Sequence, residues 1–357
     1  MARLFTEGRI GTLPIPNRMI RSATAEWLAD EAGHPRPPMV DLYRELSRGG
    51  VGLIISGHLF VHTSGRGYIG MTGIYNDALI EPLRRVTQAV HEEGGRIAAQ
   101  LNHTGLKASA GDGPPLAPSA IGPPLAEPAA RALDTEEIEE LIRSFADAAR
   151  RAVDAGFDAV QIHAAHGYLI NQFLSPAANR RTDEWGGDPS RRRTFLRRVC
   201  RDVRQAVGPS VPVLLKLAMV DNLATGLSFE ETVPVVAELG EMGIDAVETS
   251  GGLSIQPGFS GPEGVSEPYF LDLARAAKAA TQLPVILVGG VRTRQQMESV
   301  LAAGDADFTS LCRPLICEPD FPRRLRLGVQ DASSCTSCNR CRPVSDEGVS
   351  CKIGIAR

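Results

Sequence analysis

Two imidazoles and a phenol fall within six residues in His163-Ala-Ala-His166-Gly-Tyr168. The run before them, Phe157-Asp-Ala-Val-Gln-Ile, is apolar and follows Asp154-Ala-Gly156, a helix end leading into a buried strand. A buried strand that opens into clustered donors is how an α/β barrel presents chemistry, because the loops at its strand C-termini carry the reacting groups. The His163/His166 spacing admits a metal pair, but no acidic residue stands between them as in the zinc helix motif. It also admits two donors aimed at a substrate carbonyl, or two histidines that only tie down loop backbone. A phenol keeps its proton at neutral pH, so Tyr168 is a candidate general acid, against the plainer reading of a buried tyrosine with its hydroxyl satisfied.

Other residues suit a flat, anionic, phosphate-bearing ligand. Gln100, in Ala-Gln100-Leu-Asn-His103, offers an amide donor and acceptor to the edge of a heterocycle. Lys216 lies inside the apolar run Leu-Leu-Lys216-Leu, where a cation is costly unless it meets an anion or snorkels to the rim. Gly289-Gly290 and Cys312-Arg313 end the seventh and eighth candidate strands, where barrels commonly bind phosphate. Bare backbone amides approach the anion at glycine, and Arg313 adds charge. Cys335, Cys338, Cys341 and Cys351 form C-x2-C-x2-C-x9-C, a thiol set suited to an iron–sulfur cluster or zinc, or an empty reduced remnant. Cys200 falls in a helical pattern and reads as core.

The elements that must position these groups alternate. Candidate strands are Arg18–Ser22, Val51–Ser56, Arg96–Leu101, Ala159–Ile162, Pro212–Leu217, Ala246–Thr249, Val285–Val288 and Asp307–Leu311. Helical patterns lie between them at Pro82–Glu93, Thr135–Asp154, Arg191–Val207, Phe229–Met242, Tyr269–Thr281 and Arg294–Ala303. Eight such strands without a Gly-rich dinucleotide turn favour a closed (β/α)8 TIM barrel over an open parallel sheet. The N-terminal Arg3–Gly11 stretch reads as a small hairpin on the barrel floor. Ala108–Ala130 and Gly251–Glu267 read as loops on the side where a lid belongs. The division expected is a barrel over 1–330 and a cysteine-rich tail over 331–357.

The chain has 357 residues, 43% of them hydrophobic, and a net charge of −4, which argues against nucleic acid or an anionic membrane as partner. No leader or long apolar run is evident, so a cytoplasmic protein is expected. Four of the seven cysteines crowd into the last 23 residues, more in keeping with a metal site than with disulfides.

The chain resembles the old yellow enzyme family of FMN-dependent NADH:flavin oxidoreductases from about Leu4 to Pro322. The resemblance is carried by Pro16-Asn-Arg18-Met-Ile-Arg-Ser22-Ala-Thr, Gln100-Leu-Asn-His103-Thr-Gly, His163-Ala-Ala-His166-Gly-Tyr168-Leu-Ile-Asn-Gln-Phe-Leu-Ser-Pro, Asn179-Arg-Arg-Thr-Asp183-Glu-Trp-Gly-Gly187 and Asp307-Phe-Thr-Ser-Leu-Cys-Arg313-Pro-Leu with Glu318-Pro-Asp320. It implies non-covalent FMN at the strand C-termini, contacted by Ala23, Thr24, Ala25 and the backbone of His58. Gln100 would hold the pyrimidine edge and Lys216 would sit by N1. Gly289, Gly290, Cys312 and Arg313 would cradle the phosphate. His163 and His166 would grip a substrate carbonyl, and Tyr168 would donate the proton. NADH or NADPH would serve as co-substrate, sharing the substrate's site. The activity implied is reduction of α,β-unsaturated carbonyl compounds, with an iron–sulfur dehydrogenase or demethylase passing electrons to a protein partner as the alternative, and a non-enzymatic flavin sensor as a third class. The tail is similar to that of the trimethylamine dehydrogenase and 2,4-dienoyl-CoA reductase branch, which implies a 4Fe-4S cluster, with zinc as the other option; its final gap of nine residues is shorter than usual there. Ala25 stands where some relatives carry cysteine, so no covalent flavin link is expected, and Ser254 stands where the dienoyl-CoA reductases have histidine. Trp27 and the two loops would shape the substrate space, and a homo-oligomer is compatible with this reading.

Overall fold

The computed structural model describes residues 3–254, 263–265, 267–343 and 348–353. Eight parallel strands close into a barrel: β1 Met19–Arg21, β2 Leu53–Phe60, β3 Ile97–Asn102, β4 Ala159–Ala164, β5 Val213–Ala218, β6 Ala246–Ser250, β7 Val285–Val288 and β8 Phe308–Leu311. Each strand pairs with its sequence neighbours, and β8 pairs with β1 through Thr309–Met19 and Ser310–Ile20. Every candidate strand therefore lies in the barrel wall, and the open-sheet alternative is excluded.

Around the barrel run α1 Pro37–Arg48, α2 Ile80–Glu92, α3 Thr135–Asp154, α4 Thr194–Val207, α5 Phe229–Glu238, α6 Leu271–Ala280, α7 Arg294–Ala303 and the short α8 Arg313–Cys317. α3 begins where the sequence dictates, because Asp134 caps the Glu137 amide and the Glu137 side chain returns to the Asp134 amide. Thr293 and Gln296 form the same box at α7. α5 ends at Glu238, short of Met242, in a turn whose Gly243 has φ +81°. α1 lies outside the helical segments read from the sequence; Pro37 and Pro38 occupy its first positions, where a missing amide hydrogen costs nothing.

The barrel floor is apolar. Ile20, Leu53, Ile55, Ala98, Ala159, Leu214, Ala246, Ile286 and Phe308 fill it with Ile10 and Ile15 of the hairpin Gly8–Ile10/Leu13–Ile15, which lies further along the chain than the Arg3–Gly11 stretch expected to form it. A second, larger core lies between strands and helices. The Ala108–Ala130 excursion is tied down by Leu116–Ala117 pairing with Arg131–Ala132. The loop expected over Gly251–Glu267 falls largely outside the described residues. From Asp331 the chain leaves the barrel pattern but stays fastened to it. Thr293 bridges Ala332, Arg294 binds the Asp331 carboxylate at 2.7 Å, and buried Glu318 accepts from the Ser334 amide at 2.7 Å and the Ser333 hydroxyl at 2.8 Å.

Candidate active site

Above the apolar floor the barrel interior turns polar. Gln100 Nε2 donates to Gln161 Oε1 at 2.7 Å, and Gln161 Nε2 donates to Glu248 Oε2 at 3.0 Å. The same Glu248 oxygen pairs with Lys216 Nζ at 3.1 Å, which also donates to Ser22 Oγ at 2.8 Å. Lys216 is 2% exposed and Glu248 0% exposed, so the lysine does not snorkel: it is neutralised in the barrel by a carboxylate. Sequence reasoning missed Glu248. The signal was present, since Ala-Val-Glu248-Thr places an acid in a buried strand as Leu-Leu-Lys216-Leu places a base.

At the C-terminal mouth lies a cavity of about 280 Å³. Ser22, Ala23, Thr24 and Ala25, which follow β1, line it together with Lys216 of β5 and Ser250 of β6. Gly289, Cys312 and Arg313 at the ends of β7 and β8 line it too, as do His166 and Trp27. It shares Gly289, Cys312 and Arg313 with a niche of about 40 Å³ that also includes Gly290, Arg292 and Ser310. Gly289 and Gly290 have φ +103° and +79°, and a Cβ on Gly290 would stand 1.7 Å from the Glu267 carbonyl oxygen. In the niche, Ser310 Oγ and Arg292 Nε are buried without a protein partner. Glycine backbone, unspent donors and the Arg313 cation fit a phosphate group at the end of a flat cofactor.

The donor trio assembles as the sequence predicts. The rings of His163 and His166 lie 4.9 Å apart between centroids, and those of His163 and Tyr168 lie 5.0 Å apart. His166 holds φ +60°, a left-handed turn at the strand end, anchored by Lys107 Nζ donating to its carbonyl at 2.8 Å. His166 Nε2 contacts Ser250 Oγ at 2.8 Å. The Ala165 amide donates to His163 Nδ1 at 3.2 Å, which assigns that ring's proton to Nε2. Burial drives both imidazoles well below the ordinary histidine range, and neighbouring histidines and Lys216 add to this. Both rings are therefore neutral. Burial pushes the Tyr168 phenol up to about 12, so it keeps its proton.

Two expected contacts stand off the cavity. Gln100 is 1% exposed and spends its amide donor on Gln161, one layer below the mouth. The His58 ring is held between Tyr68 Oη at 2.9 Å and Asn102 Nδ2 at 2.9 Å, beside the Tyr168 ring at 5.3 Å. A register shift between Ile55 and His58 marks a bulge in β2. Gly57, within it, donates to Glu26 Oε1 at 2.6 Å, and Glu26 also binds the Tyr43 hydroxyl. A Cβ at Gly57 would sit 1.8 Å from Glu26 Oε2. This buried group and Tyr68, which stacks on Trp27 at 3.9 Å, carried no local motif.

The cysteine tail enters the site. Asn339, Cys341, Arg342, Pro343 and Val349 line the cavity, and the Val349 amide donates to the Glu26 carbonyl at 3.1 Å. Cys335, Cys338, Cys341 and Cys351 surround a separate cavity of about 20 Å³.

The NADH:flavin oxidoreductase / NADH oxidase family model matches residues 3–332. The chain belongs to that family. It is 35% identical over 342 residues to an NADH oxidase of Thermoanaerobacter brockii, spanning 94% of this chain and 52% of that protein. It is 31% identical over 384 residues to a 4,4'-dithiodibutanoate disulfide reductase of Rhodococcus erythropolis, spanning 98% and 94%. Among solved structures, an old yellow enzyme homologue from Zymomonas mobilis superposes with a TM-score of 0.79 at 29% identity, over 92% of this chain and 94% of that one. The chain spans about half the length of the first curated relatives it matches. FMN is the cofactor of this family, and the cavity with its glycine-lined niche fits it. No helix of the described residues is long and apolar enough to cross a membrane.

Proposed function

We propose that the protein uses FMN and NADH or NADPH to reduce the C=C bond of α,β-unsaturated carbonyl compounds. The observation that carries this reading is the neutral His163–His166 pair with protonated Tyr168 beside it, joined through His166 to a cavity that continues into a glycine-lined niche. A bound FMN would supply the hydride relay between nicotinamide and substrate. Gly289, Gly290, Cys312 and Arg313 would hold its phosphate, Ala23, Thr24 and Ala25 its ring edge, and Lys216 the charge of its reduced form. Gln100 and His58 would reach it only by side-chain or backbone adjustment.

His163 donates from Nε2 to the substrate carbonyl oxygen, and His166 approaches the same oxygen from the other side. Neutral imidazoles polarise that oxygen without protonating it. Tyr168 hands its proton to the carbon next to the carbonyl as hydride arrives at the carbon beyond. Trp27 lines the cavity, and Tyr68 stacks on its ring and braces it. Of the relatives matched along nearly their whole length, one is named for reducing a disulfide and others as NADPH dehydrogenases, so the bond reduced is the variable part of this chemistry.

The trio is tested in two half-reactions. Tyr168→Phe should slow alkene reduction by about 10²-fold or more while reduction of the flavin by nicotinamide stays near wild type. Equal slowing of both would remove Tyr168 as the acid.

A second reading is favoured by Cys341, which lines both the flavin cavity and the thiol cavity. Here the enzyme is a dehydrogenase or demethylase, and the tail passes single electrons to a protein partner. The donor chemistry fits: Cys317 and the four tail cysteines, five thiols, line one small space, and Ser337 and Asn339 take left-handed turns on either side of Cys338. Anaerobic reduction followed by reoxidation with enones separates the two readings. Reoxidation only by a one-electron acceptor would select the second.

A further inference from the structure

His166 and Gly167 are consecutive left-handed residues, with φ +60° and +70°. A residue with a side chain keeps that backbone only where its surroundings over-determine it. Here all four backbone polar groups of the pair are bonded. The His166 amide donates to the Gly251 carbonyl at 3.0 Å, and the His166 carbonyl accepts from Lys107 Nζ at 2.8 Å. The Gly167 amide donates to Asn171 Oδ1 and the Gly167 carbonyl accepts from Gln172 Nε2, both at 2.7 Å. Asn171 and Gln172 are fully buried. These bonds aim the His166 imidazole and set where the chain enters Tyr168.

One of them reaches further. Asn171 Nδ2 donates to Asp221 Oδ1 at 3.2 Å, and the same oxygen accepts from the Leu253 amide at 2.6 Å. Asp221 Oδ2 accepts from the Leu227 amide at 2.8 Å, which closes the loop after β5. Asp221 is buried, and neither it nor Asn171 lines the flavin cavity. A carboxylate with no part in proton or hydride transfer thus stands between the turn that carries the donors and the first residues of the loop after β6. That loop also meets the turn directly. Ser250 Oγ lies 2.8 Å from His166 Nε2, and a Cβ on Gly167 would stand 2.6 Å from Leu253 Cδ1. Gly252 lies against the carboxylate, where a Cβ would overlap Asp221 Oδ1.

We propose that Asp221 is a positioning residue: through Asn171 it holds the His166–Gly167 turn, and through the Leu253 amide it locks that turn to the loop after β6. This rests on the reading of the trio as the seat of the substrate's oxygen. Hydrogen bonds to a charged group are the stronger kind, and removing a buried acceptor strands each donor it served. Loss of the carboxylate therefore frees Asn171, and a free Asn171 releases the Gly167 amide. Seating of the loop and alignment of the donors are then one event.

The test uses the FMN-loaded full chain with 4-chlorophenol as probe. A phenol oxygen takes the carbonyl's place between His163 and His166, and its ring against the flavin changes the flavin's absorbance. Asn171→Ala and Asp221→Ala should each bind the phenol at least about tenfold more weakly, with FMN affinity within about threefold of wild type. A merely structural role would weaken both ligands together. In the double variant phenol affinity should fall no further than in the weaker-binding single variant, because both residues act through one chain of bonds, whereas independent sites multiply their losses. Gly252→Ala, whose methyl displaces the carboxylate, should reproduce the loss by itself and stands in for either variant that fails to fold. Wild-type phenol affinity in the single variants, equal loss of phenol and FMN, or multiplied losses in the double variant would overturn the role of Asp221 while leaving the trio as the oxygen seat. A wild-type enzyme whose flavin spectrum does not respond to the phenol would overturn both.

Discussion

Lys216 shows how one residue can serve stability and chemistry together. Its ammonium is buried, paired with Glu248 and bonded to Ser22, yet it also lines the flavin cavity. Taking two charges out of water is expensive, and removing one partner strands the other. Lys216→Met should therefore cost about 3–5 kcal/mol in denaturant unfolding of the flavin-free protein. The pair Lys216→Met/Glu248→Leu should recover most of that, since apolar replacement of a buried ion pair is often neutral. Flavin affinity should stay weakened in both. Recovery of affinity in the double variant would mean that Lys216 only neutralises Glu248. Glu248 Oε1 lacks a protein partner, so this polar layer is held on one side and open on the other. An open acceptor beside a ligand cavity is what a layer meant to meet a further donor looks like.

At the scale of elements, the strand ends carry the function, and the fold could be read because periodicity reports on strands. All eight runs matched because each is buried on both faces and edged by turn residues. α3 and α7 were legible through their capping boxes, whereas α1 was hidden behind two prolines that look like a break. The trio was legible because it is contiguous in sequence. Glu26, Tyr43 and Gly57 were not, because they meet from the loop after β1, from α1 and from β2. At Gly290, which the sequence reading placed at a phosphate site, the structure shows a backbone that requires glycine. Its φ is +79° and the space for a Cβ is taken by backbone at 1.7 Å. Gly290→Ala should move the loop after β7, open the phosphate niche and weaken FMN binding by about tenfold or more, with smaller effect on riboflavin, which lacks the phosphate. Equal loss for both ligands in fluorescence titration would place Gly290 outside the phosphate site.

At the scale of the molecule, the mouth of the barrel gathers imidazoles whose charged form burial disfavours. Burial lowers His58 to about 4 and His103 to about 3, with His62 adding to the second, and it lowers His163 and His166 well below the ordinary value of 6.5. In the unfolded chain these rings take up protons near pH ~6.5. Between there and about 4 the unfolded state binds more protons than the folded one, so stability rises with pH across that window. The contribution is complete above pH ~6.5 and is lost on acidification towards the folded values, at roughly 1.4 kcal/mol for each unit of depression. The surface carboxylates act in a different range. Arginines hold Asp77, Glu137 and Asp183 below the usual carboxylate range, so their contribution survives until lower pH, and their exposure makes it small. The two sources are thus separated along the pH axis. Thermal unfolding of the flavin-free protein should lose stability steadily from pH ~6.5 to ~5, with several protons taken up per molecule unfolded, measured by calorimetry in buffers of different ionisation heat. A flat profile through that window would mean that the mouth is wetter than its burial indicates and that its histidines carry charge. A charged pair would protonate a bound carbonyl oxygen rather than polarise it, and the enol left after hydride addition would still need its proton at the neighbouring carbon, the task given to Tyr168.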